Sequence, residues 1–186
     1  MDAIEALTTR KSVAMLTEPG PSGDELAILM QAAVRAPDHC HLRPWRFLVI
    51  KGEAREALGD IFMEAQRRRE PEATEAALMK TRSKPLRAPL IIVVVAKIEI
   101  DNPKVPPIEQ ILSAGAAAQN IMNAAHAMGY GGIWRSGKPC FDEYVRTSLG
   151  AGANDQIVGF LYLGTAARAP ILPKEEISSF MEVWTG

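Results

Sequence analysis

Apolar residues recur at i, i+3, i+4 and i+7 in Leu26, Leu29, Met30 and Ala33, the stripe of an amphipathic helix. Ser22 and Glu25 fit a capping box that opens this helix after the turn Gly20-Pro21-Ser22-Gly23. Pro37 lacks an amide hydrogen and restricts Ala36, so the helix ends there. The same periodicity predicts a short helix over residues 2–9, with Ile4 and Leu7 on one face. A longer one covers 53–69, with Ala54, Leu58, Ile61, Phe62 and Ala65 facing inward. A more polar helical stretch covers 72–81. Residues 108–128 form a helix roughly 30 Å long at the standard rise, stopped by Gly129. Its middle, Ala114-Gly115-Ala116-Ala117-Ala118, is small enough to let another helix approach closely.

Strands are predicted over 45–50, 90–96, 131–134 and 157–163, with a short helix over 142–149 between the last two. Residues 90–96 are almost wholly aliphatic and β-branched, as in a central strand covered on both faces. Residues 38–44 form a polar loop and 101–107 a proline-broken one. After Thr165 the chain carries Pro170 and Pro173, then Ile177, Phe180, Met181, Val183 and Trp184, apolar groups that need a surface to lie on.

At 186 residues the chain is expected to form one domain over 1–186, large enough to fold without a metal or disulfide staple. A formal charge of -1 argues against a general nucleic-acid or anionic-membrane binder. The longest apolar run, 88–96, includes Pro89 and is too short to span a bilayer. The first residues are acidic and lack the basic and apolar regions of a signal peptide. Two distant cysteines, Cys40 and Cys140, imply no disulfide framework and fit a reducing cytoplasm.

Two short segments carry the chemistry. Arg10-Lys11-Ser12 combines a planar guanidinium fork, a compact ammonium charge and a hydroxyl, which suits a phosphate and a polyol. Read alone, it is first a solvated basic helix end favoured by the helix dipole. Trp134-Arg135-Ser136 leaves a strand for a turn, after glycines at 129, 131 and 132 that permit close backbone approach. Its alternative is a structural turn with an exposed arginine. Arg35 and His39 flank Pro37 and could place donors over a flat heterocycle or its side chain; in isolation Arg35 reads first as a C-terminal charge that complements the helix dipole. His39-Cys40-His41 lacks the further ligands of a metal site, and no HExxH or CxxC motif supplies them. Cys40 has no marked base to make it a nucleophile. Gly129-Tyr130-Gly131-Gly132 follows a helix and precedes a strand, the reverse of a dinucleotide-binding fingerprint. Arg67-Arg68-Arg69 among glutamates reads as a solvated helix face, and Lys80, Arg82, Lys84 and Arg87 as a basic group in a proline-marked loop.

In their order and spacing these segments resemble the nitroreductase family of FMN enzymes, most of all its small, minimal members. The carriers are Arg10-Lys11-Ser12, Arg35-Ala36-Pro37-Asp38-His39, Pro44-Trp45, Arg87-Ala88-Pro89-Leu90, Gly131-Gly132-Ile133-Trp134-Arg135-Ser136-Gly137 and the run from Ile157 to Thr165. The resemblance implies an α+β fold with a central mixed sheet flanked by helices. It implies an intertwined homodimer, with residues 166–186 an arm on the partner subunit. Arg10, Lys11, Ser12, Trp134, Arg135 and Ser136 would bind FMN, with Arg10, Ser12 and Arg135 toward phosphate and ribityl. Arg35 and His39 would come from the facing subunit. No side chain need be a covalent catalyst. The implied activity passes hydride from NADH or NADPH through flavin N5 to a nitroaromatic, quinone or similar electron-poor acceptor. The alternative is an FMN-binding sensing, storage or interaction protein with little turnover. Lys11 stands where arginine is frequent, which turns a bidentate contact into a point charge. Arg43 precedes Pro44-Trp45, where relatives often carry a neutral or acidic side chain.

Overall fold

A computed structural model describes residues 1–168, 170–171 and 175–186. Its centre is β3 (Leu90–Ala96), every residue of which is buried. It pairs antiparallel with β2 (Trp45–Lys51) on one side and β5 (Gln156–Ala166) on the other, with Val93 opposite Leu48 and Phe160. Leu161 of β5 also faces Trp134, so β4 (Gly131–Arg135) lies along the other edge of β5. The short β1 (Leu16–Thr17) pairs with Ala166 and Thr165. The resemblance implies a mixed sheet. Among the described residues the five strands pair antiparallel throughout, and parallel pairing is confined to the bridge between Ser12 and Gly132.

Alternation along β3 builds two cores. Leu90, Ile92, Val94 and Ala96 face Leu29 and Ala33 of α2 (Gly23–Ala33) and Ala114, Ala117, Ala118 and Ile121 of α5 (Pro107–Ala127). Ile91, Val93 and Val95 face Leu58, Phe62 and Ala65 of α3 (Ala54–Arg69). Phe62 meets Phe160 edge to face at 5.0 Å. Full burial of such a side chain contributes roughly 1.5–3 kcal/mol, so the two cores explain why this strand shows no polar alternation.

Local signals set the boundaries. Ser22 N donates to Glu25 Oε2 at 3.2 Å, as the capping pattern requires. Gly129, at φ +89, ends α5 in the left-handed region. The helix α4 (Glu75–Arg82) starts later than the polar pattern suggests, because Thr74 Oγ1 accepts from Ala77 N at 3.3 Å and caps it there. Ala54 is exposed rather than inward, since it occupies the first position of α3 before the chain reaches the core. Ile4 and Leu7 share a face of α1 (Ala3–Thr9), and that face is open to solvent. Arg67 and Arg68 pair with Glu64 as a solvated face would, but Arg69 pairs with Asp142 and ties α3 to α6 (Glu143–Ser148). Lys80 and Arg82 lie on α4, and only Lys84 and Arg87 occupy the turn before β3. Part of the expected arm, positions 169 and 172–174, lies outside the described residues. The tail from Glu175 to Gly186 is exposed throughout.

Asp155 anchors the entry to β5. It accepts from Lys97 Nζ at 2.7 Å, Gly152 N at 2.7 Å and Ile98 N at 3.3 Å. Burial alone would raise its pKa, but the hydrogen bonds from Lys97, Gly152 and Ile98 outweigh it and hold the carboxyl below its ordinary value. A depressed folded-state pKa stabilises the fold above the unfolded value of about 3.9, and that stability is lost as pH falls through the folded value. Asp155→Asn is therefore expected to lower unfolding free energy at pH 7 by about 1.5–3 kcal/mol in urea denaturation. Its difference from the parent protein is expected to shrink as pH drops below about 4.

Candidate functional site

Asp2 caps α1 by accepting from Glu5 N at 2.9 Å. The helix ends at Arg10, whose backbone turns extended (φ -58, ψ 134). Thr9 Oγ1 and His126 Nε2 are hydrogen-bonded at 3.0 Å, which fastens this end of α1 to the last turn of α5. The chain then runs beside β4: Ser12 bridges Gly132, and Val13 N donates to Gly132 O at 2.9 Å. Bare backbone makes the approach possible. A Cβ on Gly131 would sit 2.8 Å from the Leu16 side chain, and one on Gly132 2.8 Å from Leu163.

Arg10 and Lys11 thus line one cleft of ≈ 260 Å³ with His126 and Gly129–Gly132. Burial, then the charges of Arg10 and Lys11, lowers the pKa of His126, so the imidazole favours its neutral form there. Ser12 opens on a neighbouring cleft with Met15 and Arg168.

Alternation along β4 sends Trp134 and Arg135 to opposite faces. Trp134 Nε1 donates to Val158 O at 3.3 Å on the α5 side. Arg135 lies on the α3 side, its guanidinium carbon 5.6 Å from the centre of the Tyr162 ring. Its Nε is buried and without a hydrogen-bond partner among the described residues. Burial pushes the Tyr162 hydroxyl up to about 12, against the opposing influence of Arg135 and Arg87. Arg135 and Arg87 line a cleft of ≈ 450 Å³ with residues 14–17, and a second of ≈ 330 Å³ that adds Lys84, Trp134 and Ser136. Arg10, Lys11, Lys84, Arg87 and Arg135 have no ion-pair partner among the described residues. Unbalanced cations and an unsatisfied buried donor are what an anionic, hydrogen-bonding ligand would complete.

The fold therefore brings Arg10, Lys11, Ser12, Trp134, Arg135 and Ser136 to one edge of the sheet. Arg35 and His39 line none of these clefts. His39 Nδ1 donates to Glu109 Oε2 at 2.7 Å, in the first turn of α5, whereas His126 marks its last turn. The intervening rise is about 25 Å. The loop holding His39 places Cys40, His41 and Arg43 at positive φ, and Arg43 N donates to Asp38 Oδ2 at 2.7 Å within it. Arg87 and Tyr162 join the site without having been singled out for it. The signal for Arg87 is its place just ahead of the buried strand 90–96, which must run beside β5.

The chain belongs to the nitroreductase family, whose model matches residues 7–165. It is 47% identical over 165 residues to "Putative NAD(P)H nitroreductase YdjA" of Escherichia coli (strain K12), a match covering 89% of this chain and 88% of that protein. The nitroreductase-like family protein of Bacillus cereus superposes with a TM-score of 0.83 at 26% identity, covering 100% of this chain and 97% of that one. The nitroreductase of Bacteroides fragilis NCTC 9343, solved with bound FMN, shares the fold at a TM-score of 0.73 and 21% identity, with 100% of both chains covered.

A Cβ on Gly159 would lie 2.0 Å from Trp134 Nε1, so no side chain fits there without moving the indole. Gly159→Ala is expected to shift the tryptophan emission maximum and near-ultraviolet circular dichroism while keeping far-ultraviolet dichroism. Overpacking of this kind typically costs about 1–3 kcal/mol in stability.

Proposed function

We propose that the chain is an FMN-dependent oxidoreductase using NADH or NADPH to reduce nitroaromatic, quinone or similar electron-poor acceptors. The observation that carries the reading is the meeting of Arg10-Lys11-Ser12 with Trp134-Arg135-Ser136, joined by the Ser12–Gly132 bridge and lined by unpaired cations. When bound, FMN supplies the relay of electrons from nicotinamide to acceptor. The chain supplies binding and electrostatics. Arg10, Lys11 and Ser12 hold phosphate and ribityl oxygens at one end of the edge. Arg135 and Ser136 complete the cradle about 10 Å further along β4. The unpartnered Arg135 Nε provides a buried donor toward negative charge, worth far more where water is excluded. Trp134, wedged over Gly159, keeps the strand end that carries Arg135 in place.

Arg35 and His39 enter the same reading only through a second subunit. A two-fold axis across the middle of α5 would set the Glu109 end of one helix beside the His126 end of the other. Apolar residues wait for such a contact: Ile108 and Leu112 on α5 are 58% and 63% exposed, and Phe180 and Trp184 of the tail 78% and 88%. No helix among the described residues is long and apolar enough to cross a membrane. We place the homodimer in the cytoplasm.

The purified protein is expected to be yellow and to oxidise NADH or NADPH steadily once an acceptor is added. A colourless protein that FMN cannot reconstitute would contradict the reading. Bound flavin without turnover would favour a sensing or storage role. Arg135→Ala is expected to weaken FMN binding by about 10- to 100-fold, the equivalent of one charge-assisted hydrogen bond, while urea stability falls by less.

A further inference from the structure

A cleft on the α3 side of the sheet adjoins the proposed cofactor edge but extends away from it. Phe62, Phe160 and Tyr162 line it, and Lys84, Arg87 and Arg135 bring positive charge to it. Its volume of ≈ 330 Å³ lies at the small end of ligand pockets and suits a single aromatic ring rather than a whole dinucleotide. An aromatic wall with a cationic rim is complementary to a flat ring that carries an oxyanion.

The charges in this cleft are not neutralised within the chain. Lys84, Arg87 and Arg135 have no ion-pair partner among the described residues, although acidic groups nearby are paired. Glu70, on the adjoining cleft, accepts from Lys138 Nζ at 2.6 Å and Gln66 Nε2 at 2.9 Å. Arg69 is taken by Asp142. Burial, then repulsion from Arg87 and Arg69, lowers the pKa of Lys84 against the opposing charge of Glu70. Two buried polar atoms lack a partner among the described residues, and both border this region: Arg135 Nε, and Gln66 Oε1 in the adjoining cleft.

We propose that Lys84 and Arg87, with Arg135, form a specificity site for a carboxylate or phosphate carried by the enzyme's aromatic substrate. This rests on the oxidoreductase reading above, because Arg135 and Ser136 belong both to this cleft and to the proposed cofactor edge. Acidic aromatic acceptors are then preferred to neutral ones of the same shape. A phosphate on the nicotinamide donor is the other source of the same chemistry.

Steady-state kinetics on the FMN-loaded protein test it, comparing 4-nitrobenzoate with 4-nitrobenzamide and, separately, NADPH with NADH. Lys84→Met suits the test, since Lys84 lines this cleft and its side chain makes no hydrogen bond to another described residue. It is expected to raise KM for the charged member of one pair by about tenfold or more. The neutral member and kcat are expected to stay within about twofold. Loss confined to 4-nitrobenzoate assigns the oxyanion to the acceptor, and loss confined to NADPH assigns it to the donor. Equal effects on charged and neutral members of both pairs would overturn the proposal. If the protein binds no FMN or oxidises nicotinamide with neither nitroaromatic nor quinone acceptors, the oxidoreductase reading falls instead. Calorimetric binding of benzoate against benzamide then still decides the cleft: preference for benzoate that Arg87→Met abolishes supports it, and its absence overturns it.

Discussion

The site depends on one contact, the parallel bridge between Ser12 and the bare backbone of Gly132. Ordinary side chains at positions 131 and 132 would meet Leu16, Met122 and Leu163 within 3.0 Å. Without that approach Val13 N would lose its acceptor on Gly132, and the segment from Arg10 would leave the sheet. The two basic segments lie more than a hundred residues apart, and glycine is what lets them share an edge. The same contact fixes the mouth of the cleft between residues 14–17 and Arg135.

The helix α5 acts as a ruler across the molecule. Its 21 residues separate the His39–Glu109 pair at one end from Thr9–His126 at the other. Side chains on one chain cannot close that distance, since even an extended arginine reaches only a small fraction of it. A cofactor contacted by both groups therefore requires two copies of α5 side by side and antiparallel. The small residues at its centre suit that geometry. Gly115 and Ala116 are partly open, whereas Ala114, Ala117 and Ala118 are turned into the chain's own core. Close packing and a shared site would then be two consequences of one stripe of side chains.

Much of this was legible in the sequence. The aliphatic run 90–96 announced the central strand, and the stripe from Leu26 to Ala33 and the stop at Gly129 announced α2 and α5. The basic segments stood out by residue type, and the family they resemble is the family the chain belongs to. Pairing was harder to read. An isolated hydrophobic run does not state its neighbour, and the antiparallel order of the ladders follows from connections that no single segment encodes. Ala54 matches helical periodicity but falls one turn before the core begins. Arg69 and Arg87 show the same difficulty among charges. Each sits in a basic cluster, yet folding gives one a carboxylate and, among the described residues, leaves the other without one. That depends on which loops meet across the sheet, and composition carries no record of it.

Complementation between subunits tests the shared site most directly. One chain would carry Arg10→Ala with Arg135→Ala and the other Arg35→Ala with His39→Ala, co-produced and purified as a heterodimer through two different tags. Its FMN content would be measured against each variant alone. A shared site rebuilds one intact pocket per heterodimer, so FMN is expected to return to half the content of the parent dimer while both variant homodimers stay depleted. A heterodimer as empty as its parents would contradict the account, because it would mean that all these residues act within a single chain.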